Sequence, residues 1–350
     1  MSYISINGKK IGNDAEPFII AEAGINHNGD IELAKKMVLA AKDAKVDAVK
    51  FQTFHAEEFI SDENETYTYF SQGKEITESM LNMFKRYEFS DDEWMEIKSF
   101  CDENDIVFLS TPQNVSDLDI LLRLGISAIK IGSDDFVNIP LIKRYANEGL
   151  PLLLSCGMAN EEEIDRALKA AGYPNHKDIC LLLCTSQYPT PPNDINAKKL
   201  ISLSKKYPDL ILGFSDHSQG NTAAVVAVAL GARIFEKHFT LSHDFVGPDH
   251  WFSSTPDELK TWVESIRLGY SNLGSYSLQP TSEELEMRKI AHRSVTVLMP
   301  IKHGEKFSVD NIGLRRPGTG ISPEKYEIII GKVSKRDLEV GYQLTAEDIQ

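Results

Sequence analysis

Residues 210–241, LILGFSDHSQGNTAAVVAVALGARIFEKHFTL, contain one complete structural unit. An apolar run (210–216) gives way to the polar stretch HSQGN, then to the small apolar residues TAAVVAVAL closed by Gly231, then to a second apolar run (232–241). That order reads as a strand, a helix ended by the glycine expected just past a helix, and another strand. A helical crossover of this length joins parallel strands, because antiparallel neighbours need only a short turn.

The same alternation extends upstream to about residue 18. Further strand candidates are FIIAEAGI (18–25), DAVKFQTF (47–54), IVFLSTP (106–112), SAIKIGS (127–133), PLLLSCG (151–157) and DICLLLCTS (178–186), which with 210–216 and 232–241 make eight. Helical patterns such as IELAKKMVLAAKDA, SDLDILLRLG and EEEIDRALKAAG lie between them. Eight βα units in roughly 250 residues match an α/β fold of the (β/α)8 TIM-barrel type. The barrel is expected over residues 1–278, with 1–17 forming a hairpin, turned at Asn7-Gly8, that plugs its bottom. A polar linker is expected over 279–291, followed at 292–350 by a small domain of short strand-like runs punctuated by glycine. Residues 55–90 lengthen the connection after the second strand far beyond the usual few residues. This insertion reads either as a cover for the catalytic mouth or as a solvated excursion with its own helix at ITESMLNMFKRYE (76–88).

Composition narrows the functional classes. The 350 residues are 42% apolar, enough for a large core, and carry a formal charge of -15, which repels nucleic acid and anionic membranes. No apolar run approaches the ~18 residues of a bilayer-spanning helix. The opening stretch MSYISINGKKIGNDAEP lacks a signal peptide's charged head and apolar segment, so a soluble, cytoplasmic protein is expected. Four cysteines (Cys101, Cys156, Cys180, Cys184) read as reduced core residues; Cys180 and Cys184 have no second Cys/His pair nearby to complete a zinc site.

Polar residues at the carboxyl ends of barrel strands face the catalytic mouth. Here those ends supply Glu22; Lys50 and Gln52; Thr111; Lys130, Ser133, Asp134 and Asp135; Ser155; Ser186 and Tyr188; Ser215, Asp216 and His217; and Glu236 and His238. A single lysine or histidine in a strand is more often a paired core residue than a catalyst. Burying both Lys50 and Lys130, however, costs several kcal/mol unless an anion neutralises them, and a phosphate or carboxylate ligand is the simplest such anion. Hydroxyls at Thr111, Ser133, Ser155, Ser186 and Ser215 would add neutral donors around the same oxygens. His217 and His238 sit on consecutive strands spaced ~4.8 Å apart, so both imidazoles could reach one divalent cation; the alternative is a pair of satisfied core histidines.

The motifs IIAEAGINHNG, VKFQTF, FLSTP, KIGSDD, SCGM, CTSQYPTP, GFSDHS, EKHFTL, GPDHWFS and RRPGTGIS occur in that order along the chain. Together they resemble the sialic acid synthase family of phosphoenolpyruvate-condensing enzymes. The resemblance implies a TIM barrel joined to an antifreeze-like (SAF, β-clip-type) domain, and a domain-swapped homodimer. It implies that His217 and His238 hold a divalent metal ion, Mn²⁺ first, with Mg²⁺ or Co²⁺ as alternatives. Lys50, Lys130, Thr111, Ser133, Ser155, Ser186 and Ser215 would grip phosphoenolpyruvate. Glu22 would handle a proton, while Gln52, Tyr188 and Asp249 would position an N-acetylated amino sugar, and Arg316 would reach into the partner's site. The implied reaction joins phosphoenolpyruvate to an open-chain N-acetylmannosamine-type sugar and releases phosphate, giving a nine-carbon sugar of the N-acetylneuraminate kind. A 2,4-diacetamido-6-deoxy acceptor, giving a legionaminate-type product, is the near alternative.

Two departures bear on the acceptor. Members usually carry KIGSGE or KIGSGD, so Asp135 takes the place of the family's acid and Asp134 is an added carboxylate that either points away or alters the sugar end. Where members often continue GPDH with a segment like KASLEP, this chain has WFSSTP, with Trp251 and Phe252 suggesting a less polar sugar. A Schiff-base pyruvate aldolase and a non-catalytic carbohydrate-binding protein are the competing readings.

Overall fold

The computed structural model describes residues 3–350, which fall into two compact units, the first ending at Gly274 and the second running from Ser275 to Gln350. The first two residues of the expected plug lie outside the described residues.

The first unit opens with a hairpin of β1 (Tyr3–Ile6) and β2 (Lys9–Gly12), turned at Asn7 and Gly8, both at positive φ as a two-residue hairpin turn requires. Eight parallel strands form the barrel: β3 (Phe18–Gly24), β4 (Ala48–Thr53), β7 (Val107–Pro112), β8 (Ile129–Ile131), β9 (Leu152–Ser155), β10 (Ile179–Cys184), β11 (Ile211–Asp216) and β12 (Ala232–His238). Strands β5 (Thr66–Ser71) and β6 (Lys74–Ser79) form a separate hairpin inside the 55–90 insertion. The ladder runs β7-β4-β3-β12-β11-β10-β9-β8, and its end strands β7 and β8 lie beside each other, so the barrel is nearly closed. All eight expected strands are present at the expected places.

The alternation of side chains along each strand divides the core in two. One parity packs outward against the helices: Ile19, Val49, Phe108, Leu154, Leu181, Phe214 and Phe235 join helical residues such as Met37, Trp94, Leu168 and Trp262. The other parity points into the barrel, where Phe18, Ile20, Ala48, Leu109, Ala128, Leu153, Leu182, Ile211 and Ile234 meet Ile4, Ile6 and Ile11 of the hairpin. The hairpin therefore plugs the apolar floor. Gly213 is required in this interior, since a Cβ there would lie 2.8 Å from both the Ile234 carbonyl oxygen and Leu182 Cγ.

The insertion corrects the expectation of a single helix at 76–88. Ile76–Ser79 belong to β6, and the helix is confined to Met80–Lys85. The alternating run TYTYFS followed by Gln72-Gly73, both at positive φ, carries the hairpin signal. The hairpin is tied to the loop after β12: Gln72 Nε2 donates to the Asp244 carbonyl (2.7 Å), the Gly247 N–H to Ser71 Oγ (3.1 Å), and Phe70 meets Trp251 edge-on, 5.6 Å between centroids.

In the second unit, most of the stretch read as a linker is a helix, Ser282–Ala291. Thr281 and Glu284 form a reciprocal capping box at its start, which outweighs the polarity that suggested a linker. Beyond it, β13 (Ser294–Val297) pairs antiparallel with β14 (Ile312–Arg315) over a small core of Val295, Val297, Ile301, Phe307, Ile312 and Leu344.

Candidate active site

Two residues beyond the last apolar position, six of the eight inward-facing rows of the barrel turn polar. Ile20 is followed by Glu22, Ala48 by Lys50, Leu109 by Thr111, Ala128 by Lys130, Leu153 by Ser155, and Ile234 by Glu236 and then His238. These side chains line one cavity of about 830 Å³ at the carboxyl ends of the strands, together with Gln52, Ser133, Ser186, Tyr188, Ser215, His217 and Asp249. Thirteen of the fifteen residues given a role in the expected site thus converge on one space.

Two are elsewhere. Asp135 accepts a hydrogen bond from Asn138 Nδ2 (2.9 Å) and is not among the lining residues; its neighbour Asp134 is. Arg316 belongs to the second unit and is exposed there.

The floor of the cavity is a buried charge network. Lys50 Nζ lies 2.5 Å from Glu22 Oε2 and 3.7 Å from Glu236 Oε2, and it donates to Thr111 Oγ1 (3.1 Å). Lys130 Nζ is 3.6 Å from Glu236 Oε1, which also accepts from Ser215 Oγ (3.0 Å). Gln52 Nε2 donates to Glu22 Oε1 (3.2 Å). Glu236 is the residue that sequence reading left without a role. Its signal was its parity, two positions before His238 on the inward face.

The two carboxylates diverge although they share Lys50. Burial raises Glu22 to about 7, with Lys50 opposing it. Burial acts the same way on Glu236, but Lys130 and Lys50 outweigh it and hold that carboxylate at about 2. Burial pulls Lys50 down, and Glu22 and Glu236 reverse this and hold it above its ordinary value, as a charged ammonium.

Next to this network, the His217 and His238 rings lie 5.4 Å apart and both line the cavity, His238 in register with Glu22 on the adjoining strand. His217 Nδ1 sits 2.8 Å from the Thr185 carbonyl oxygen and carries the proton there, so Nε2 is bare whenever the ring is neutral. Burial pulls this imidazole down, but Cys184 and the Thr185 carbonyl outweigh it and hold it above its ordinary value. Burial, with His217 and Lys50 adding to it, holds His238 well below its ordinary value, and its buried Nδ1 has no hydrogen-bond partner. Among the described residues no group of three or more His, Cys, Asp or Glu is placed to hold a metal ion. An ion between these rings would therefore have two protein ligands and open positions, as catalytic rather than structural metals do.

Ser155 Oγ and Ser186 Oγ are also buried without partners. Unpaired buried hydroxyls cost free energy unless a ligand meets them. Gly157 gives the serines room, since a Cβ there would come within 2.5 Å of both Ser133 Oγ and Ser186 Oγ. The remaining wall is aromatic: Tyr188 lies against His217 (4.2 Å) and Phe252 (4.9 Å), and Phe252 meets Trp251 edge-on (5.6 Å).

Buried cations, unpaired hydroxyls and a two-imidazole pair thus meet at the carboxyl ends of the strands of a TIM barrel, where enzymes of this fold carry their active sites. The chain belongs to the NeuB family, whose model matches residues 37–277, and carries a SAF domain at 292–350. It is 37% identical to the N,N'-diacetyllegionaminic acid synthase of Legionella pneumophila, over 99% of this chain and 98% of that one. It is 34% identical to a pseudaminic acid synthase of Campylobacter jejuni, over 97% of this chain and all of the other. Among solved structures, the N-acetylneuraminic acid synthetase of Leptospira borgpetersenii, in complex with citrate, is 35% identical with a TM-score of 0.73, covering 82% of this chain and 95% of that one.

Proposed function

We propose that the protein is a nonulosonic acid synthase that condenses phosphoenolpyruvate with an unphosphorylated, open-chain acylamino sugar and water, releasing phosphate. The observation that carries this reading is the set of unpaired hydroxyls, Ser155 and Ser186, in one cavity with Lys50, Lys130 and a pair of imidazoles.

In this scheme Lys50, Lys130 and the hydroxyls hold the phosphate and carboxylate of phosphoenolpyruvate. Its methylene carbon attacks the aldehyde carbon, water adds to the carbon bearing phosphate, and the adduct expels phosphate by C–O cleavage. A divalent metal on His217 and His238, Mn²⁺ first, would supply Lewis-acid polarisation of the aldehyde oxygen. Glu22, raised to about 7, is suited to take the proton of the incoming water near neutrality. Glu236 stays ionised, lies within ion-pair distance of both lysines and helps to hold Lys50 charged. Held as an ammonium by its carboxylates, Lys50 is a poor Schiff-base nucleophile, which disfavours the pyruvate aldolase.

For the acceptor, the aromatic wall of Phe70, Tyr188, Trp251 and Phe252 favours a 2,4-diacetamido-2,4,6-trideoxy hexose over N-acetylmannosamine, and legionaminic acid synthases stand among the relatives. Arg316, exposed in the second unit, would complete the site of the other subunit in a swapped homodimer. A cytoplasmic location suits the four unpaired, buried thiols; among the described residues no helix is long and apolar enough to cross a membrane.

Phosphate release from phosphoenolpyruvate, measured with each sugar, tests the reading. Release that needs a sugar, stops with chelator and favours the deoxy sugar by tenfold or more is expected. Sugar-independent binding, or borohydride trapping of pyruvate on a lysine, would refute it. Mixing inactive Arg316→Ala and His238→Ala proteins should restore part of the activity; failure after verified subunit exchange would remove the swapped dimer.

A further inference from the structure

Asp134 is the carboxylate that the condensation chemistry leaves unused. It lines the cavity, is exposed to it, and makes no hydrogen bond or ion pair with any described residue. Its place is built by Gly132: a Cβ on that glycine would lie 2.1 Å from Asp134 Oδ1, so the carboxylate folds back over the backbone just past β8. From there its charge is felt by both Lys50 and Tyr188, members of the anion cradle and of the aromatic wall that line the same cavity. A free carboxylate at the edge of an anion site is an electrostatic liability for an anionic ligand, so its presence calls for a ligand group of the opposite kind.

The charges around it sharpen the point. Among the described residues, Lys50 and Lys130 are the only lysines or arginines lining the cavity, and both are already engaged by Glu22 and Glu236. Within the barrel of one chain, none remains on this wall to receive a second phosphate.

We propose that Asp134 is a specificity residue for the acceptor: its carboxylate accepts a hydrogen bond from a hydroxyl or acylamido N–H of an uncharged sugar and rejects a sugar that carries a phosphate. This rests on the acceptor cavity assigned above and adds the residue that sorts acceptors by charge. Two charges a cavity's width apart, at the effective dielectric of a partly buried site, repel strongly enough for on the order of tenfold discrimination or more.

The test uses the full-length protein without phosphoenolpyruvate, so that binding is read apart from turnover. N-acetylmannosamine and its 6-phosphate serve as probes, with affinities taken from the ligand-dependent rise in Tm. The unsubstituted protein should bind the neutral sugar at least about tenfold more tightly than the phosphate. In Asp134→Asn and Asp134→Gly the gap should close to within about threefold, mainly through tighter binding of the phosphate. An unchanged ratio in both variants, or a preference for the phosphorylated sugar at the outset, would overturn the proposal. Phosphate release with the neutral sugar is scored separately. A protein that sorts the sugars as expected but releases no phosphate keeps the role of Asp134 and loses the condensation.

Discussion

The two halves of the barrel interior are built on the same strands and in the same parity, yet behave oppositely. Toward the amino ends the inward rows are Ile, Leu, Phe and Ala, sealed by Ile4, Ile6 and Ile11 of the hairpin. Two residues further along they become Glu22, Lys50, Thr111, Lys130, Ser155 and Glu236, open to a cavity. Folding free energy is invested in the floor, where apolar burial is complete. The mouth instead contains ion-paired buried charges and buried hydroxyls without a protein partner, both costly to folding. Stability and activity should therefore respond separately to substitutions in the two layers.

Lys50→Met should break the mouth most severely. It removes the cation shared by Glu22 and Glu236 and should lower the rate of phosphate release by about a thousandfold or more, with a loss of about 3–5 kcal/mol in stability from the uncompensated carboxylates. Steady-state kinetics and urea titration would read the two effects. In the floor the pattern should invert: Ile11→Ala should cost about 2–5 kcal/mol in the urea titration while the protein that remains folded turns over normally.

A third prediction concerns pH. His27 is fully buried, stacked on Phe89 at 4.2 Å between centroids, and burial lowers it to about 3. The unfolded chain binds this proton near pH 6.5 and the folded one does not. The stability His27 contributes as a neutral ring is therefore fully present above pH 6.5 and is lost progressively as pH falls toward 3. The expected slope is about 1.4 kcal/mol per pH unit for this group. His27→Phe should flatten the profile over that window; a superimposable profile would contradict the assignment. The smallest effect is expected at the rim of the floor, where Lys9 is paired with Asp47 but part-exposed. Lys9→Met should change stability by no more than about 1 kcal/mol, against the large loss at Lys50.

Much of this organisation was legible in the sequence. The strand ends could be read as a parts list because the inward parity is fixed once the apolar floor is known, and parity alone carries Lys50 and Lys130 to one cavity. What escaped was set by local chemistry weaker than periodicity. The β5–β6 hairpin hid in a polar, aromatic run whose only punctuation was Gln72-Gly73, and the helix at Ser282–Ala291 hid in polar residues that its Thr281–Glu284 box makes helical. Which member of the pair Asp134 and Asp135 faces the cavity depends on the turn after a three-residue strand, where alternation no longer applies. Glu236 was visible but ambiguous, since one carboxylate in a strand does not reveal that it bridges two lysines on β4 and β8, neither of which adjoins its own strand.

The division of the interior is tested most directly by a crystal structure with phosphoenolpyruvate bound. The account predicts its phosphate and carboxylate oxygens within hydrogen-bond distance of Lys50, Lys130, Ser155 and Ser186, with the methylene carbon turned toward His217 and His238. Density for the ligand in the smaller cavity between Ser218 and Trp262, with those serine hydroxyls still unpaired, would contradict it.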